Sequence, residues 1–105
     1  MAREPFQTLS EPMYYVLLAL TKERFGVDVM NDVDRLSRGR VRVGPGTLYA
    51  LLPRFEATGW IVCTKVYGRR KAYQLTKAGW DILKKEYRRL RQMEADARPI
   101  MEEWL

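Results

Sequence analysis

From Thr76 to the last residue, apolar side chains recur at heptad spacing. With Trp80 at position a, Trp80, Tyr87, Glu94 and Met101 occupy the a positions and Leu83, Leu90, Ala97 and Trp104 the d positions. Seven of these eight seam positions are apolar. A seam of this kind needs another helix against it, and a helix this long reaches beyond a small domain. Thr76 offers an N-cap hydroxyl, and Pro99 predicts a kink before the last turn or two. The chain therefore divides into residues 1–76, which must build one small domain, and 77–105, a helix for self-association. At 105 residues the core is adequate but not generous, so an added interface would help to stabilise it.

The elements before this helix are short. Ser10 precedes Glu11-Pro12-Met13, an N-cap and first turn. The helix expected from Met13 to about Lys22 is apolar on several faces, so more than one face should be covered. One face would meet the chain's own core, and another, with Leu17, a partner subunit. After Phe25-Gly26, residues Val29, Val33 and Leu36 repeat at helical spacing up to a stop at Gly39. Asp28, Asn31, Asp32 and Asp34 are expected to face away from the core. Val41-Arg42-Val43 alternates like a small strand, and Gly44-Pro45-Gly46 punctuates the chain. Leu48, Leu51, Leu52 and Phe55 then form the narrow stripe of a third helix ending at Gly59. Pro53 sits awkwardly inside that helix, where a kink is expected. Trp60–Tyr67 and Lys71–Leu75 read as the two strands of a hairpin around Gly68-Arg69-Arg70.

Charge narrows the function. The formal net charge is +6 at pH 7, unevenly spread: residues 1–37 carry −2, residues 38–75 carry +7 and residues 76–105 carry +1. Within the last segment, 77–91 is +4 and 92–105 is −3. A strongly basic middle third suits a polyanion. There is no histidine, which removes His-based acid–base catalysis, serine triads and His-containing zinc sites. The single Cys63 can form neither an internal disulfide nor a Cys-only metal site. It reads as a small apolar residue in a reducing, cytoplasmic setting. No enzyme activity, metal or cofactor is expected. The longest apolar run, Met13–Leu20, is too short to span a bilayer, and the N-terminus lacks the pattern of a signal peptide.

The element order is helix, helix, short strand, helix, strand, basic turn, strand, long helix. The fold class this predicts is mainly α with a small β-hairpin: a winged helix-turn-helix followed by a long C-terminal dimerisation helix. In that arrangement the third helix enters the major groove of double-stranded DNA, and the wing follows the adjacent backbone or minor groove. Gly46 and Ala50 permit close approach, and Thr47, Tyr49 and Arg54 can donate hydrogen bonds. Arg69, Arg70 and Lys71 place cations where phosphates would lie. The outer face of the helix offers no Asn or Gln, so specificity would lean on dimer spacing and DNA shape.

Several segments together resemble the PadR-type transcriptional regulators: Leu9-Ser10-Glu11-Pro12-Met13-Tyr14-Tyr15-Val16-Leu17-Leu18-Ala19-Leu20, Gly44-Pro45-Gly46-Thr47-Leu48-Tyr49-Ala50-Leu51-Leu52, Gly59-Trp60-Ile61, and Gly68-Arg69-Arg70-Lys71-Ala72-Tyr73-Gln74-Leu75-Thr76. The resemblance covers about residues 9 to 90. It implies a homodimeric bacterial repressor of the small type, without a large effector domain. It also implies a C-terminal helix that forms the dimer and packs across the partner's first helix. Pro53 departs from the polar or charged residue usual there.

Competing readings apply to individual residues. Tyr49 is either a phosphate ligand or a cover for the core edge, whereas Tyr73 is expected to pack under the wing. Arg38, Arg40 and Arg42 read first as guards of a short strand edge. The dimer contact is assigned to Leu17, Trp80, Leu83, Tyr87, Leu90, Met101 and Trp104. Trp80, Met101 and Trp104 could also hold a small aromatic effector. The rival function is a winged-helix protein-interaction module without specific DNA binding. An RNA reader is disfavoured because the aromatic residues fall mostly on expected core and seam positions.

Overall fold

A computed structural model describes residues 8–105. It contains α1 (Glu11–Ala19), β1 (Arg24–Phe25), α2 (Gly26–Leu36), α3 (Pro45–Ala57), β2 (Ile61–Tyr67), β3 (Arg70–Leu75) and α4 (Lys77–Trp104). The three strands form an antiparallel sheet in the order β1-β3-β2. The fold is thus mainly helical with a small sheet, and a long helix closes the chain.

Local chemistry sets the boundaries. The Ser10 hydroxyl accepts from the Met13 N–H at 3.3 Å, and the Thr76 hydroxyl accepts from the Gly79 N–H at 3.1 Å. Both are N-caps that satisfy an amide without an intrahelical partner. At the end of α3, the Gly59 N–H donates to the Glu56 carbonyl and the Trp60 N–H to the Phe55 carbonyl. Gly59 supplies the left-handed turn this requires, with φ +80°, and the rings of Trp60 and Phe55 pack 5.6 Å apart. This is a Schellman stop with its hydrophobic contact.

The core joins Val16, Leu17 and Leu20 of α1, Val29 and Val33 of α2, Leu48, Leu51, Leu52 and Phe55 of α3, Ile61 and Leu75 of the sheet, and Leu83 of α4. Leu17 is fully enclosed and Leu83 is 4% exposed within the single chain. Both were expected at a subunit contact, but neither has surface left to offer a partner. The wide apolar belt of α1 is consumed largely by its own domain.

Two further expectations are corrected. Val41–Val43 forms no strand. Val41 and Val43 are buried in the core with Arg42 outside, and the Val41 N–H and carbonyl both bond to the Ser37 hydroxyl, at 3.0 and 3.1 Å. A buried serine thus takes the place of a neighbouring strand, so the nearby arginines have no edge to guard. Asp32 does not face away. It is buried and accepts from Arg24 on both oxygens and from Arg35 on one, so the ion pairing that would otherwise be solvated fastens β1 to α2. Helix α3 continues through Pro53, and α4 through Pro99. Both prolines are exposed, as are Tyr49 and Ala95 four residues before them, so water can replace the donor each ring removes.

Candidate nucleic-acid interface

The buried stripe of α3 leaves Gly46, Thr47, Tyr49, Ala50, Pro53, Arg54 and Ala57 on one exposed face. Beside it stands the β2–β3 hairpin, whose turn is Gly68-Arg69, with Gly68 at φ +59°. Strand β3 is pinned on both sides. It pairs Tyr73 with Arg24 and Ala72 with Phe25 of β1, and Ile61–Tyr67 of β2 on the other edge, with a register shift between Cys63 and Lys65. The Leu75 N–H also donates to the Leu20 carbonyl at 2.9 Å, tying the base of the hairpin to the end of α1. The Lys65 ammonium meets Glu23 at 3.2 Å. Hydrogen bonds from Thr64 and Lys65 hold the Glu23 carboxyl below its usual range.

A cleft of about 250 Å³ lies where α3, the hairpin and the start of α2 meet, lined by Phe25, Gly26, Val27, Tyr49, Arg69, Arg70, Lys71 and Tyr73. Four of the six residues expected to touch DNA, namely Tyr49, Arg69, Arg70 and Lys71, converge on it. Tyr49 is about half exposed. Tyr73 is buried beneath the hairpin, as expected, and that burial raises its hydroxyl pKa. Thr47 is exposed near the start of α3, outside this cleft. Arg54 lies toward the other end of the helix, on an apolar pocket of about 180 Å³ with Met13, Phe55, Ala57, Thr58 and Trp60.

Phe25 was not foreseen. The Arg70 guanidinium lies over its ring, 4.5 Å from the centroid, and the Tyr67 ring packs against it at 5.9 Å. Strand β1 is two residues long, too short to show any period, and only its pairing partner reveals it. Phe25 precedes an α2 N-terminus with no side-chain cap, so the cleft combines three cations with the positive end of a helix.

On α4 the seam is exposed wherever its own domain does not cover it: Trp80, Tyr87, Leu90, Met101 and Trp104 all present apolar surface. Trp80 and Trp104 are 24 residues apart on one helix, roughly 36 Å. A single chain therefore does not bring the expected effector residues together.

Residues 16–85 match the PadR-like transcriptional regulator family. That is two thirds of the chain. The chain belongs to this family. Solved structures with the same fold include a PadR-like transcription factor from Bacteroides fragilis, at 26% identity and TM-score 0.68, covering 83% of this chain and 86% of that one. A PadR family transcription regulator from Clostridium difficile aligns at 21% identity and TM-score 0.66, covering 84% of this chain and 97% of that one. NadR in complex with 4-hydroxyphenylacetate aligns at 19% identity and TM-score 0.59, covering 90% of this chain and 68% of that one. No match is found among curated proteins. The PadR-like chain is accordingly a DNA-binding transcriptional regulator and not an enzyme. Among the described residues no helix is long and apolar enough to cross a membrane.

Proposed function

We propose that this PadR-like regulator is a cytoplasmic repressor that binds duplex DNA as a homodimer. Residues 1–76 form the DNA-binding unit and 77–105 the dimerisation helix. Helix α3 enters the major groove with Thr47, Tyr49 and Arg54, and the hairpin lies on the backbone or minor groove through Arg69, Arg70 and Lys71. The observation that carries this reading is the convergence of Tyr49, Arg69, Arg70 and Lys71 on one cleft beside the exposed face of α3. Two elements distant in sequence present their donors and cations to one neighbourhood, as a polyanion spanning both would require. The dimer is supported by the apolar surface that Trp80, Tyr87, Leu90, Met101 and Trp104 leave uncovered.

Selection of duplexes from a genomic pool, followed by mobility shifts on the selected sequence, tests the reading. The wild type should shift the selected duplex, and Arg69→Ala/Arg70→Ala should bind all duplexes more weakly. No shift at any concentration in low salt would favour a protein-interaction module instead. A small aromatic effector between subunits, at Trp80, Met101 and Trp104, is the extension that the bound 4-hydroxyphenylacetate of NadR encourages. Fluorescence titration of a Trp60→Phe variant with planar aromatic compounds checks it. Without a saturable change, the two remaining tryptophans serve packing alone.

A further inference from the structure

The tip of the hairpin rests on the ring of Phe25. Strand β1 ends at this residue, which pairs with Ala72. Beyond that point Arg70 and Lys71 of β3 are paired with Tyr67 and Val66 of β2, with no third strand beside them. A ribbon of two strands has little stability of its own. Phe25 reaches it from the rest of the fold: the Arg70 guanidinium carbon lies 4.5 Å from the centre of its ring, and the Tyr67 ring packs at 5.9 Å. Phe25 is itself held, because it leads directly into α2. The buried Gly26 that follows lets the start of α2 press on α3, since a β-carbon there would lie 3.4 Å from Leu52 and 3.5 Å from the Tyr49 ring. Among the described residues Arg70 makes no ion pair, and neither Arg69 nor Lys71 stacks on a ring.

We infer that Phe25 is a positioning residue for DNA binding, which holds the Arg70 guanidinium by its face and leaves the donor edge for a backbone phosphate. The inference rests on the proposed placement of the hairpin on DNA. An arginine stacked on a ring uses the flat face of the guanidinium, while its N–H groups lie in the plane and stay available. Two of them in parallel suit two phosphate oxygens. Stack and phosphate contact therefore coexist, whereas a carboxylate partner would compete with the phosphate for the same donors. A long side chain free in solution loses rotamers when it binds, and one already laid on a ring has lost them on folding. Phe25 is joined to the start of α2, which presses on Tyr49 and Leu52 of α3. It thus also fixes where Arg70 stands relative to the exposed face of α3.

Full-length Phe25→Leu tests this, since leucine keeps an apolar side chain under the hairpin and removes the ring face. On a duplex selected by the wild type, affinity should fall about two- to tenfold for each hairpin on the duplex. The slope against salt should not change, because Arg70 keeps its charge. Arg70→Ala should lower affinity and also shallow the slope by about one for each hairpin. In an Arg70→Ala background Phe25→Leu should cause no further loss, and Phe25→Tyr alone should bind like the wild type. Without DNA, the Arg70 side-chain protons of the wild type should resonate upfield of those of Arg69, under the ring current of Phe25. A Phe25→Leu loss of equal size in the Arg70→Ala background would make Phe25 a support of the fold alone and overturn the proposal. So would wild-type affinity in Phe25→Leu, or Arg69 and Arg70 protons at the same position, a result that decides the matter even where Phe25→Leu does not fold. Arg70→Ala binding as well as the wild type would instead overturn the placement of Arg70 on DNA, and this inference with it.

Discussion

Gly79 holds one of the tightest positions in the described chain. A β-carbon there would lie 2.0 Å from the Trp60 carbonyl oxygen, which already accepts the Thr76 N–H at 3.0 Å. Backbone faces backbone, so no side chain can swing aside, and the start of α4 would have to leave the turn after α3. Gly79→Ala should cost about 3 kcal/mol or more, seen as a lower denaturant midpoint. Pro53 is the opposite case. It removes one intrahelical bond on an exposed face that contributes little to the core. Pro53→Ala should raise stability by about 1–3 kcal/mol, with a higher melting temperature as the readout. A fall would mean that the proline ring packs against something essential. Selection on the variant would show whether the operator preference moves with the helix geometry.

Among the elements, α4 is fastened to the N-terminal segment by one buried carboxylate. Glu86 is 3% exposed and accepts from the Leu9 N–H at 3.1 Å and from Arg89 on both oxygens. The bonds from Arg89 lower its pKa, burial opposes them, and the Leu9 amide adds to the lowering. Nearby, burial raises the Tyr14 hydroxyl, with Tyr15, Tyr87 and Glu86 adding to the effect. A carboxyl whose pKa falls on folding contributes stability that is complete above its unfolded value and is lost as pH falls through the folded one. Melting temperature should therefore decline on acidification below the ordinary carboxylate range. Glu86→Gln should flatten part of that decline and cost about 1–2 kcal/mol at neutral pH. An acid profile unchanged in the variant would remove Glu86 from the linkage. Helical spacing and caps made the four helices and the hairpin legible in the sequence, because each contains its own period and stop. Three things were not legible. Strand β1 has no period of its own, Ser37 replaces a strand for Val41, and Asp32 and Glu86 look like ordinary solvated charges until their distant partners are placed. The same holds at the candidate site: Arg69, Arg70 and Lys71 announce themselves as a cationic run, while Phe25, which lies under Arg70, depends on a pairing 47 residues away.

At the scale of the whole molecule, charge and shape bear on one another. The +7 of residues 38–75 falls on the segment spanning α3 and the hairpin, and Arg69 and Lys71 are exposed beside the cleft. DNA affinity should therefore be dominated by counterion release. If a dimer neutralises roughly 6–8 phosphates, the logarithm of affinity should fall against the logarithm of salt with a slope of about −5 to −7. Two cations removed per chain are four per dimer, so Arg69→Ala/Arg70→Ala should shallow the slope by up to about 4 and weaken every duplex alike. Arg54 sits farther along α3, away from the cleft. If it reaches a base edge, Arg54→Ala should cost about 1–3 kcal/mol on the selected duplex and little on others. The pair of variants separates a contact that positions the protein from one that reads sequence, because only the first changes the salt slope for all duplexes. A wild-type slope near zero, or a double variant that keeps wild-type affinity, would take the hairpin off the DNA. The dimer would then have to recognise its site through α3 alone, a face with a single charged side chain.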